Sequence, residues 1–212
     1  MKLASSSVLL LLLAGCASAP VDMNEPRRIV GTENAVRVDA QVTGEEARPG
    51  QQIPITYEIT NQRSTPIAVA DIVPATTYDA ETRTFTVVVG SEVPGQASLP
   101  RLIAIAPGEK RAFSVAARLV YLIPPRDADP MKATEPANLR LMVNFLGDTA
   151  PFQRLIGIKE VGIVDAKLAD ELFPLWVERN EVVFTNSIPM RWLSRSRDAS
   201  GVDAGRRRGG FR

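Results

Sequence analysis

Val36-Arg37-Val38-Asp39-Ala40-Gln41-Val42 alternates apolar with polar side chains, and Ile53-Pro54-Ile55-Thr56-Tyr57-Glu58-Ile59-Thr60 repeats the pattern after a Pro49-Gly50 turn. A side-chain period of two sends alternate residues to opposite faces, so each segment predicts a half-buried β-strand. Pro54 has no amide proton to give a ladder, which predicts that its strand begins at a sheet edge or a bulge. Downstream, Asn61 to Pro66 is a polar turn and Ile67 to Val73 a short apolar run. Thr82 to Val89 is rich in β-branched residues, and Leu102 to Ala106 leads into the turn signal Pro107-Gly108-Glu109-Lys110. Phe113, Val115, Ala117, Leu119 and Tyr121 alternate next, then Leu139, Leu141, Val143 and Phe145 before Gly147-Asp148. About seven short strands therefore fall between residues 35 and 147, which suits a mainly-β sandwich.

The stretch Glu45-Glu46-Ala47-Arg48-Pro49-Gly50-Gln51-Gln52 and the strand ending at Asn61 resemble bacterial surface immunoglobulin-like modules. These show Pro-Gly, a polar pair, an alternating strand and then Asn at the turn. Ala106-Pro107-Gly108-Glu109-Lys110 ahead of Phe113 repeats the device. The resemblance covers roughly half the chain and implies an immunoglobulin-like antiparallel β-sandwich, without an activity. The region has no cysteine pair and no tryptophan, so the markers of antibody-type domains are missing.

Beyond residue 147 the pattern changes. Asp165 is a candidate N-cap, and Leu168, Ala169, Leu172 and Phe173 share one helical face until Pro174 is expected to stop the helix. Glu181 to Ile188 predicts a last strand, with Trp176 and Trp192 flanking it. Residues 148–193 are too few for a second core and are expected to pack on the sandwich as a short helix-containing extension. Residues 194–212, SRSRDASGVDAGRRRGGFR, lack apolar periodicity and are expected to form a disordered basic tail.

The N-terminus, MKLASSSVLLLLLAGC, has a positive Lys2 and an apolar run from Val8 to Leu13. That run is too short for a bilayer core of about 30 Å, which needs ~20 apolar residues, and it has signal-peptide anatomy. Leu13-Ala14-Gly15-Cys16 resembles the lipobox of bacterial lipoproteins. The resemblance implies cleavage between Gly15 and Cys16 and acylation of Cys16. Ala17-Ser18-Ala19 offers a competing leader-peptidase site, but Pro20 follows it directly and proline there generally blocks such cleavage. Ala17 replaces the Asp that commonly signals inner-membrane retention. The resemblance thus implies a periplasm-facing outer-membrane lipoprotein, tethered through lipid chains worth roughly 0.8 kcal/mol per buried methylene. The organisation expected is a signal peptide over 1–15, lipidated Cys16 and a linker over 16–34, the sandwich over 35–147, the extension and the tail.

Composition narrows the chemistry. The 212 residues contain no histidine and a single cysteine, which removes His-assisted nucleophiles, His-ligated metals and intrachain disulfides. No S-x-x-K, G-x-S-x-G, P-loop or H-E-x-x-H motif is present. Asp127 and Asp129 in a Pro-rich loop fall short of the oxygens calcium requires, so no metal and no cofactor are expected. Trp176, Trp192 and Tyr57 read as core, since large aromatics beside apolar strands plug interiors. A formal net charge of +1 gives no field that steers nucleic acid, yet it conceals an asymmetry. The tail sets six arginines against two aspartates, whereas residues 17–193 hold eighteen basic and twenty-two acidic side chains. Arg206, Arg207, Arg208 and Arg212 are the candidates for contact with anionic envelope polymer.

The expected function is a lipid-anchored, non-catalytic binding or assembly module for another envelope protein. The alternatives are a cell-wall glycan hydrolase built on a carboxylate pair, and a passive anchor whose arginine tail binds anionic polymer.

Overall fold

The computed structural model describes residues 28–44, 46–48, 50–91, 99–118, 136–158 and 166–192. Its alternating segments pair into two facing sheets. The first has the order β1-β2-β4-β9, formed by Arg28–Glu33, Val36–Val42, Gln52–Asn61 and Lys110–Arg118, all antiparallel. The second has the order β6-β7-β10-β5-β8, formed by Ala75–Asp79, Thr84–Val89, Asn138–Leu146, Ile67–Ala70 and Leu102–Ile105. Two further strands, β11 (Asn180–Phe184) and β12 (Ile188–Pro189), pair antiparallel with β10. A short parallel pair joins β3 (Glu46–Ala47) to β13 (Arg191–Trp192). The result is a mainly-β sandwich, as the alternation predicts, with one α-helix among the described residues.

The period of two places the core. Val36, Val38, Ala40 and Val42 on β2 and Ile53, Ile55, Tyr57 and Ile59 on β4 are all buried. They meet Phe85, Val87, Leu139, Leu141, Val143 and Phe145 from the second sheet in one continuous cluster. Tyr57 is core, stacked on Phe113 at 5.1 Å.

A second cluster lies on the far side of the second sheet. In β5 all four side chains are buried: Ile67 and Val69 face the sandwich interior, and Ala68 and Ala70 face outward. That is why this segment reads as an unbroken apolar run. A 3-10 helix over Ala150–Leu155 and helix α1 over Ala166–Arg179 cover the outward residues with Phe152, Leu155, Ala169, Leu172 and Trp176. Trp176 meets Phe152 edge-on at 5.7 Å and donates its indole N–H to the Ser91 carbonyl at 2.9 Å.

Four features depart from the sequence expectations. First, β1 occupies residues read as linker, so the domain extends back to Arg28. Asn34 and Ala35, both with positive φ, form the two-residue hairpin into β2. The signal for such a turn is Asn-Gly, and Ala35 stands where glycine is usual. Second, β4 is an interior strand, between β2 and β9. Pro54 is tolerated because β2 ends at Val42 and its Thr43 N–H donates to the Pro54 carbonyl at 3.3 Å, leaving the missing Pro54 donor at the ladder's end. Third, α1 runs through Pro174 to Arg179. The carbonyl that loses its helical partner at Pro174 belongs to exposed Asp170, and burial of Trp176 beyond the proline holds the last turn. Fourth, β7 and β10 run parallel, from Asn138↔Thr84 to Val143↔Val89, within an otherwise mostly antiparallel sandwich. Parallel neighbours need a long connection, and here β8 and β9 lie between them in sequence.

The C-terminal part is more than a covering. Glu181 to Ile188, read as a last strand, supplies β11 and part of β12 to the second sheet itself.

Candidate functional site

Most of the site residues singled out by sequence lie outside the described residues. These are Gly15, Cys16, Asp127, Asp129, the N-cap candidate Asp165, and Arg206, Arg207, Arg208 and Arg212. Trp176 is 1% exposed and serves packing. The Trp192 backbone pairs with Ala47. What the structure places on view is the surface of the sandwich, which has an ionic face, a closed side and an open side.

The ionic face is the outer face of the first sheet. Its centre is Asp39, which alternation turns away from the core yet which is only 3% exposed. Arg37 on the same strand and Arg28 on β1 close over it. Arg37 donates to Oδ2 at 2.6 Å and to Oδ1 at 2.9 Å, and Arg28 Nε reaches Oδ1 at 3.1 Å. A second Arg28 contact, from Nη2, completes the clamp. Burial alone would push the Asp39 carboxyl up, but hydrogen bonds from Arg37 and Arg28, with their charges, hold it below the usual carboxylate range. Glu58, the cross-strand neighbour of Asp39, is engaged by Lys110 at 2.8 Å. Two neighbouring acids on β2 and β4 are thus each neutralised, Asp39 by arginines of β1 and β2 and Glu58 by Lys110 of β9. An acid held ionised, with both oxygens occupied, is suited to fastening strands together and unsuited to moving protons.

This predicts a stability that depends on pH. The Asp39 contribution is present above its unfolded pKa of about 3.9 and lost as pH falls through the lower folded value. Asp39→Asn is expected to cost about 2 kcal/mol at neutral pH, since it leaves two guanidinium groups underpaired. Thermal melts of the two proteins should differ at pH 7 and begin to approach each other only below about pH 4, converging as pH falls through the lower folded value. A difference that persists at low pH would contradict the ionic account.

The closed side joins the two sheets through β1 and β11. The Asn186 N–H donates to the Val30 carbonyl at 2.9 Å, and the Val30 N–H donates to Asn186 Oδ1 at 2.6 Å. The Phe184 N–H donates to Glu33 at 3.2 Å. Gly31 permits this approach: a Cβ there would lie 2.3 Å from the Phe184 carbonyl oxygen. Nearby, Arg63 donates to the Asn34 carbonyl at 2.7 Å and to Glu181 Oε1 at 2.8 Å, and lies 5.3 Å above the Phe145 ring. One guanidinium therefore ties the β1–β2 turn to β11. Nothing local in the sequence marks Arg63 or Gly31 for these parts, because their partners are distant along the chain.

The open side, closed by no further strand among the described residues, lies between β9 and β6, terminal strands of the two sheets. The Thr76 hydroxyl of β6 donates to the Arg118 carbonyl at 3.4 Å, and at the other end of β9 Arg111 donates to the Ala104 carbonyl of β8 at 2.8 Å. Between these points the inward-facing Phe113, Val115 and Tyr78 pack against the core but are only partly buried.

Among the described residues, no group of three or more His, Cys, Asp or Glu side chains is placed to hold a metal ion. Nor, among them, is any helix long and apolar enough to cross a membrane. Fold and surface together define a mainly-β sandwich with helix α1 packed on the outer face of its second sheet. Comparison with protein-family models, with curated proteins and with solved structures finds no match to this chain.

Proposed function

We propose that this chain is a lipid-anchored module of the bacterial cell envelope that binds or assembles with another envelope protein and catalyses no reaction. The observation that carries the reading is Leu13-Ala14-Gly15-Cys16, at the end of a short apolar run and ahead of the sandwich. Cys16 is the attachment point, with cleavage after Gly15, and the sandwich, of immunoglobulin-like type in this reading, is the part presented to partners. The filled interior and the neutralised face of Arg28, Arg37, Asp39, Glu58 and Lys110 support a structural and binding role over a chemical one. The arginines of the tail, Arg206 to Arg208 and Arg212, would add contact with anionic headgroups or polymer near the membrane.

The anchor is tested by metabolic labelling with palmitate. Label is expected on the wild-type protein and absent from Cys16→Ser, which should fractionate away from membranes. An unlabelled, soluble wild-type protein would remove the anchor from the proposal. Crosslinking in the intact envelope, followed by identification of what is captured, tests the partner; the expected product is a protein adduct.

A further inference from the structure

We infer that the end of the sandwich where the described chain both enters and leaves is its membrane-facing surface, and that exposed arginines there and in the tail hold it against anionic phospholipid headgroups. The inference rests on the reading of Cys16 as the lipid attachment point and adds to it an orientation and a lipid chemistry. β1 begins at Arg28, opposite Gln41, next to the last residue of β2. β4 begins at Gln52, opposite Arg118, the last residue of β9. Between β2 and β4 the chain passes through β3, whose Glu46 and Ala47 pair with Arg191 and Trp192 of β13. Arg28 and Trp192, the first and last described residues, therefore lie at one end of the molecule. At the opposite end are the Asn34–Ala35 turn and the turn at Gly108, whose N–H donates to the Asn61 carbonyl at 2.8 Å.

Reach decides which end faces the bilayer. Cys16 precedes Arg28 by twelve residues, a span of at most ~43 Å. β4 alone, ten residues at about 3.3 Å each, is ~33 Å long. Turning the opposite end to the membrane would require the tether to run back along the whole domain at nearly full extension. The Arg28 end needs only a fraction of that length. Laying the first sheet flat is the remaining choice, and the central cations of its outer face are already engaged by Asp39 and Glu58.

Charge chooses the lipid. Arg48, Arg118 and Arg191 are exposed at the Arg28 end, and Arg191 keeps 74% of its side chain exposed while standing 3.6 Å from Glu46. The turn between β6 and β7 brings Asp79 and Glu81 to the same end. Asp79 is already held by that turn, accepting from the Thr82 hydroxyl at 2.7 Å and the Glu81 N–H at 2.9 Å. The tail that follows Trp192 sets six arginines against two aspartates. It continues from the end to which Cys16 is tethered, so lipid and arginines draw one surface toward the headgroups. Guanidinium groups suit this contact because each can pair two phosphate oxygens at once. Each one near an anionic leaflet adds an attraction that salt screens.

The test uses residues 16–212, which keep every described residue and whose sole cysteine, Cys16, is coupled chemically to a maleimide-bearing lipid. The vesicles are phosphatidylcholine and phosphatidylglycerol at about 7:3 with a photoactivatable headgroup probe, and adducts are mapped by mass spectrometry. Adducts are expected over residues 43–52 and at Arg118 and Arg191, at least about tenfold above those at the Asn34–Ala35 and Gly108 turns. Arg206→Ser, Arg207→Ser, Arg208→Ser and Arg212→Ser combined should lower that yield at least about threefold, as should Arg48→Ser, Arg118→Ser and Arg191→Ser combined. Vesicles of phosphatidylcholine alone should do the same, and they decide the role of charge if a variant fails to fold. Even labelling of both ends would overturn the inference. So would a yield at the Arg28 end unchanged by lipid charge, or by either arginine variant when folded. Chemical coupling bypasses lipidation in the cell, so failure here is distinguishable from failure of the palmitate test.

Discussion

Trp176→Ala is expected to destabilise the protein by about 4 kcal/mol, the range found for emptying a fully buried large aromatic site. For a domain of this size that lowers the melting temperature by roughly 12 °C. The side chain is 1% exposed, meets Phe152 edge-on and satisfies the Ser91 carbonyl. Its removal leaves a cavity between α1 and the second sheet and takes the indole N–H from the Ser91 carbonyl. The loss should be uneven, because Trp176 belongs to the outer cluster of Phe152, Leu155, Ala169 and Leu172 and not to the sandwich interior. Hydrogen exchange should accelerate first in α1, with β2 and β4 protected until global unfolding. Uniform loss of protection would mean that the helix and sandwich form one cooperative unit. Trp176→Phe should recover part of the stability, since it refills volume but supplies no N–H.

Gly31→Ala is expected to have the next largest effect, about 3 kcal/mol for a methyl forced against main chain. The new Cβ would lie 2.3 Å from the Phe184 oxygen, 2.9 Å from the Phe184 carbonyl carbon and 3.0 Å from the Thr185 Cα. All three are backbone atoms, so no side chain can rotate away, and β1 must separate from β11. The Val30–Asn186 hydrogen bonds are then lost. Melting should fall by roughly 9 °C, and the Val30 and Asn186 amides should exchange faster than those of β4. Gly44, where an added Cβ would meet nothing within 4 Å, is the control for clash as opposed to a general intolerance of the methyl group, although its positive φ carries its own smaller strain. If Gly31→Ala melts with the wild type, the two sheets are not closed by this contact.

The strands that were legible are those whose burial pattern is local. β2, β4, β7, β9 and β10 announce themselves because a period of two needs only neighbouring residues to be seen. β1 was not legible. Of its inward positions Ile29, Gly31 and Glu33, only Ile29 is a buried apolar side chain, and the turn that follows carries Ala35. Its strand character comes from β2 on one side and β11 on the other. Pro174 misleads for a related reason. The local cost of a proline inside a helix is real, and the tertiary burial of Trp176 outweighs it.

The candidate surfaces divide the same way. That β9 is a strand with Lys110, Arg111 and Arg118 could be read directly; that it ends the first sheet could not. Asp39 reads as one more solvent-facing residue until Arg28 and Arg37 are brought over it from two strands. Arg63 and Glu181 lie 118 residues apart in sequence and meet only because β11 returns beside the β1–β2 turn.

What the amino-acid sequence determined by itself is the class: a mainly-β sandwich of period-two strands, no histidine chemistry, one cysteine, and the motif that carries the proposed anchor. These follow from side-chain period and composition, which are properties of neighbours in the chain. The tertiary structure alone decided strand order, the parallel β7–β10 pair, the seam at Gly31, the buried ion cluster at Asp39 and the place of β9 at the end of the first sheet. Each of these depends on which distant segments share a boundary, and that is set by the packing of two sheets and a helix around two apolar clusters, not by any local pattern.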